Sequence, residues 1–113
     1  MEKVKANDFM IVTAFRSGPV SYGLRINRSD RNKFFKREWK TVKLRLSGHP
    51  ESIEVNIKDS FWGRCSELIN KEIKRWLLEL LNKGLVTWTR GMPPKFSMNT
   101  ISEGYFSVIP PEK

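Results

Sequence analysis

Segments of this chain alternate with a period of two, most clearly a neighbouring pair in its middle, and that alternation most restricts the fold. In "WKTVKLRL" (39–46), Val42, Leu44 and Leu46 interleave with Lys43 and Arg45; in "SIEVNI" (52–57), Ile53, Val55 and Ile57 interleave with Glu54 and Asn56. Successive side chains of a strand point to opposite faces, so each segment reads as a strand with one apolar and one polar face. "SGHPE" (47–51) is a turn between them, and the pair forms a hairpin. "DFMIVTAF" (8–15) and "VSYGLRI" (20–26) flank the turn signal "SGP" and predict another hairpin; in the second, Val20, Tyr22, Leu24 and Ile26 also alternate with Ser21, Gly23 and Arg25. "KFSMNTI" and "YFSVI", separated by "SEG" (102–104), predict a third.

Helical signals are fewer. In "KEIKRWLLELLNK" (71–83), Ile73, Trp76, Leu77, Leu80 and Leu81 form one continuous apolar stripe. Asn70 is a suitable N-cap for it and Gly84 a natural left-handed residue beyond its end. Ser29 is expected to cap a short helix over 30–37, anchored by Phe34 and Phe35, and Asp59 to cap a single turn through "SFWGRC". Pro93 and Pro94 impose an extended crossing segment. The expected fold is α+β: mainly antiparallel hairpins, about six strands in a partly closed barrel, with one long amphipathic helix.

Residues 1–113 read as one domain. With 39% apolar residues, aromatics among them, the chain can build a core without disulfides or metal. Trp76 belongs to that core by its place on the helix stripe, Trp62 is expected to pack beside Phe61, and Trp88 to plug one end. Cys65 is the only cysteine and reads as a small buried side chain. A lone cysteine fits a reducing compartment, and no signal peptide or membrane-length apolar run is present, so a cytoplasmic location is expected.

Charge is the functional signal. The chain carries +9, and nine of its basic residues fall between 25 and 45 with only two acids. Arg25, Arg28, Arg31, Lys33, Lys36, Arg37, Lys40, Lys43 and Arg45 span a strand end, a short helix and the outer face of the next strand. Two carboxylates cannot neutralise nine cations, and a concentrated positive field attracts polyanions. The competing reading is a solvated face on which Glu38 and Glu54 pair some of the charge. Arg90 and Lys95, in "WTRGMPPKF", are candidates for a second phosphate contact.

Catalytic patterns are weak. His49 is the only histidine and lies in a turn; no zinc spacing, P-loop or dinucleotide fingerprint occurs. "EWK" (38–40) and "EIK" (72–74) match part of some nuclease sites, but metal-dependent cleavage needs a second placed carboxylate. The chain is expected to be no enzyme and to need no cofactor or metal.

Two resemblances add to this. The pattern "YGLR…R…FF…W..V.L.L", then "FW..C.EL....I..WL", then "W..G.PP.F", resembles a family of small bacterial proteins; that likeness implies no activity. The order of "LRINRSDRNKFF", a charged hairpin, a helix and closing strands is similar to the DNA-binding pseudobarrel superfamily, which holds plant B3 domains, recognition domains of some restriction enzymes and AbrB-like transcription factors. That resemblance implies a barrel whose arms reach the DNA major groove, with Arg25, Arg28 and Arg45 near base edges. The helix over 71–83 departs from that pattern. The expected function is non-catalytic nucleic-acid binding, with DNA preferred over RNA on the fold likeness. Engagement of about six phosphates would give a log–log salt slope of roughly −5 on duplex DNA. The alternative is a protein-interaction module that docks an acidic partner.

Overall fold

Both segments of the middle pair are strands with the expected faces. In β3 (Thr41–Leu46) Val42, Leu44 and Leu46 are buried while Lys43 and Arg45 are exposed; in β4 (Ile53–Asn56) Ile53 and Val55 are buried and Glu54 and Asn56 exposed. The computed structural model describes residues 9–18, 21–64 and 66–111. Cys65, Val20 and residues 1–8 lie outside the described residues, and with them the readings made of Cys65 and of the start of the first hairpin.

The remaining elements are β1 (Phe9–Ser17), β2 (Ser21–Ile26), α1 (Arg28–Phe34), a 3-10 turn (Asp59–Trp62), β5 (Ser66–Ile69), α2 (Lys71–Asn82), β6 (Lys95–Ser102) and β7 (Tyr105–Ile109). Seven strands form one mixed sheet in the order β4-β3-β7-β6-β1-β2-β5. The three expected hairpins are adjacent antiparallel pairs within it. They are joined by antiparallel β1–β6 pairing and by a parallel β3–β7 pair that sets Leu44 against Phe106. The sheet curls until its edges, β4 and β5, approach. There the Asn70 amide donates to the Glu54 carbonyl at 3.3 Å, and a shallow groove is lined by Asn56 and Lys58 on one side and Glu67 and Ile69 on the other. The fold is α+β and the barrel nearly closed, as the alternation implied.

The count of six strands needs correction. β5 is the seventh, with Ser66 and Leu68 buried and Glu67 outward. Four residues are too few for a period to stand out beside a helical turn. The short helices also shift. α1 begins at Arg28 with Asn27, not Ser29, as its cap: the Asn27 side chain accepts from the Asp30 amide at 2.8 Å and its own amide donates to the Asp30 carboxylate at 3.0 Å. The helix ends at Phe34 rather than 37, because Phe35 turns to extended backbone and stacks on Phe106, ring centroids 5.0 Å apart. Asp59 lies within its turn, which Lys58 precedes with no side-chain cap.

The two ends of the barrel are capped differently. At one, α1 and the 3-10 turn bury Phe35 between Phe61 and Phe106, each ring centroid 5.0 Å away. At the other, α2 lays Ile73, Trp76, Leu77 and Leu80 onto the core, and Gly84 follows it at φ +72°. Trp88 is half-buried, edge-on to Tyr22.

Gly23 is required by contact rather than by backbone angle. On the outer face of β2, a Cβ there would stand 2.4 Å from the Leu68 carbonyl oxygen and 2.8 Å from the Phe15 ring. The missing side chain lets Phe15 fold down onto the strand, which is why this outward residue is buried. Gly23→Ala should destabilise the protein by about 2 kcal/mol, read as a lower urea midpoint, because a backbone carbonyl cannot move aside without disturbing the β2–β5 ladder.

Candidate nucleic-acid interface

The basic residues follow the chain from the outer face of β2, over the α1 end, to the outer face of β3, and their fates differ. Arg31 is 5% exposed. Its Nη1 donates to the carbonyls of Phe61 (3.3 Å) and Gly63 (3.0 Å) and to Ser66 Oγ (3.2 Å), while Nε and Nη2 donate to Asn32. Burial lowers its pKa, and the nearby charges of Arg28 and Arg37 add to this; a guanidinium nonetheless stays protonated at neutral pH. Arg31 therefore ties α1 to the 3-10 turn and β5, and its guanidinium is not offered to solvent.

Two others are paired. Arg25 donates to Glu67 at 2.7 Å and lies over the Phe15 ring at 4.9 Å. Lys36 pairs with Glu103, whose hydrogen bond and charge raise the ammonium pKa. Lys43 stands opposite Glu54 in the β3–β4 register. Arg28, Lys33, Arg37, Lys40 and Arg45 are exposed and form no carboxylate pair among the described residues. Arg37 covers the Trp62 ring at 4.9 Å and Lys33 the Phe34 ring at 5.3 Å.

The cations converge most closely on one groove. Arg25, Arg28 and Arg64 line a concavity of about 380 Å³ with Asn27, Ser66, Thr13, Ile11 and Ile26. The sheet explains the meeting. β2 pairs with β5 so that Ile26 faces Ser66, and Arg28 and Arg64, just beyond the ends of these strands, line the same groove. Thr13 lies between Arg25 on β2 and Lys95 on β6, so Lys95 flanks the same groove one strand further on. Arg64 was absent from the sequence-based candidates. Its only local sign is a basic residue after Gly63; what matters is a pairing across about 40 positions of chain. Arg90 is exposed in the Thr89–Met92 turn between α2 and β6, away from this groove's lining.

The opposite end of the barrel carries a concavity of about 440 Å³, lined by His49, Glu72, Glu79, Arg75 and Trp76 among others. His49 Nδ1 is engaged at 2.8 Å with the Glu51 carbonyl. Glu38 precedes β3 whereas Glu72 opens α2, so the two Glu-x-Lys triplets lie on different elements. Among the described residues no group of three or more His, Cys, Asp or Glu side chains is placed to hold a metal ion. No helix among them is long and apolar enough to cross a membrane.

No family model, curated protein or solved structure matches this chain.

Proposed function

We propose that the protein binds nucleic acid without catalysis, through the groove of Arg25, Arg28 and Arg64 and the neighbouring Lys95. The observation that carries this reading is the meeting of three arginines, from β2, α1 and the 3-10 turn's exit, in the lining of one concavity with hydroxyl and amide neighbours, although the Arg25 guanidinium is itself held by Glu67. Arg28 and Arg64 form no carboxylate pair among the described residues. Guanidinium forks match phosphate oxygens bidentately, and the Thr13 hydroxyl and the exposed Asn27 amide supply neutral partners for sugar or phosphate. A nearly closed barrel capped by a helix at each end is compatible with a pseudobarrel, and that likeness favours DNA as the polyanion.

With Arg31 buried and Arg25 and Lys36 paired, fewer phosphates are engaged than the sequence implied, and Arg28, Arg64, Lys95 and Arg45, unpaired among the described residues, carry the reading. About four contacts give a log–log salt slope near −3.5 on duplex DNA, and near −3 on a single strand. Fluorescence anisotropy of labelled oligonucleotides between 50 and 200 mM salt reads this directly. The double variant Arg28→Ala/Arg64→Ala should bind about tenfold more weakly at the lower salt and reduce the slope by about 2. A slope near zero, or no binding at 50 mM, defeats the reading and leaves an acidic protein as the partner for these cations.

A further inference from the structure

The sheet's outer face holds a second feature that charge does not explain. Phe9 and Ile11 on β1 and Ile109 on β7 are 50%, 44% and 42% exposed, although each lies in a paired strand. They share one face, because their strand neighbours Met10, Val12 and Val108 are all buried. Register makes them contiguous. Ile11, Ser97 and Ile109 form one row across β1, β6 and β7; Phe9, Asn99 and Ser107 form the next, which Arg45 of β3 continues.

We propose that this face is a platform for unpaired bases of the DNA whose phosphates occupy the arginine groove. The inference rests on the nucleic-acid reading and adds strand class to it. Phe9 offers a ring face for stacking and Ile11, two residues and about 7 Å further along β1, an aliphatic surface, with room for a base against each. Ser97, Asn99 and Ser107 lie between them as neutral donors and acceptors for base edges. Ile11 also lines the groove, so platform and phosphate site are continuous. A duplex hides its base faces by stacking; a single strand presents both the faces and the charge.

Charge complementarity selects this occupant over a second copy of the chain. The apolar patch is bordered by Arg45 on one side and by Lys95, Arg25, Arg28 and Arg64 on the other. Among the described residues, no outward position of β7, β6 or β1 carries a carboxylate. Two such faces brought together about a two-fold axis would oppose cation to cation. An anionic ligand with apolar faces meets both features at once.

The test compares an unpaired twelve-nucleotide DNA with a duplex of the same sequence, by anisotropy at 50 mM salt. The unpaired strand should bind about tenfold tighter than the duplex. Phe9→Ala, outside the groove's lining, should remove most of that preference while leaving duplex affinity and its salt slope unchanged; Ile109→Ser, on a different strand, should weaken the preference in the same direction, and Ile11→Ser, which also borders the groove, should weaken both the preference and duplex affinity. These residues are exposed, and circular dichroism of each variant checks its fold. Duplex binding with no single-strand preference, or a preference indifferent to all three residues, overturns the platform and leaves the groove intact. A wild-type dimer that these substitutions convert to monomer also overturns it, since the face is then covered by a second copy. Failure to bind either strand removes the nucleic-acid reading itself.

Discussion

Trp76→Ala should lower the unfolding free energy by about 4 kcal/mol and the Tm by roughly 15 °C. The indole is 3% exposed, tilts against Phe96 with ring centroids 5.2 Å apart, and donates from Nε1 to the Ser47 carbonyl at 2.8 Å. One side chain thus joins α2 to the sheet and to the β3–β4 turn. Truncation removes the aromatic contact, opens a cavity beside Phe96 and strips a carbonyl of its donor. Urea denaturation followed by far-ultraviolet circular dichroism measures the loss. Trp76→Phe should cost much less, because it keeps most of the packing and forfeits only the hydrogen bond and part of the volume. Equal losses for the two variants would show that the hydrogen bond, not packing, holds α2 in place.

Arg31→Ala should destabilise by about 3 kcal/mol, nearly as much, for a different reason. The guanidinium supplies donors to Phe61, Gly63, Ser66 and Asn32 at the junction of α1, the 3-10 turn and β5. Ser66 Oγ still donates to the Phe61 carbonyl at 2.8 Å, so that acceptor keeps one partner, but Gly63 loses its Arg31 donor. Arg31→Lys retains the charge yet cannot reproduce a planar fork, and should recover less than half of the stability. On the proposed DNA-binding reading, the salt slope should be unchanged in Arg31→Ala at temperatures where the variant is folded, since a buried guanidinium releases no counterion. A reduced slope would mean that Arg31 leaves its site to contact phosphate.

The two largest expected effects show how unevenly the sequence displayed its own logic. Trp76 sits on a stripe whose spacing is local, and the helix, its Asn70 cap and its buried face follow from thirteen consecutive residues. Arg31 sits in a segment where every signal pointed to charge. Nothing within a helical turn of it reveals that carbonyls some thirty positions later would surround its guanidinium. The three hairpins were legible because turn residues and alternation are local. The β3–β7 parallel pair and the short β5 were not, since each depends on which strands the curled sheet brings together.

The proposed binding surface divides the same way. Periodicity determined that Lys43, Arg45 and Arg25 would point outward, since a strand's side chains must alternate between faces. Only the tertiary structure decided that Glu67 would occupy Arg25, that Glu103 would hold Lys36, and that Arg64 would join Arg28 in one groove. The exposed face of Phe9, Ile11 and Ile109 belongs to that second class: the three are apolar, and only their shared side of the barrel wall leaves them exposed. Local spacing specifies which way a side chain points, whereas strand register, set by the closing of the whole sheet, specifies what it meets.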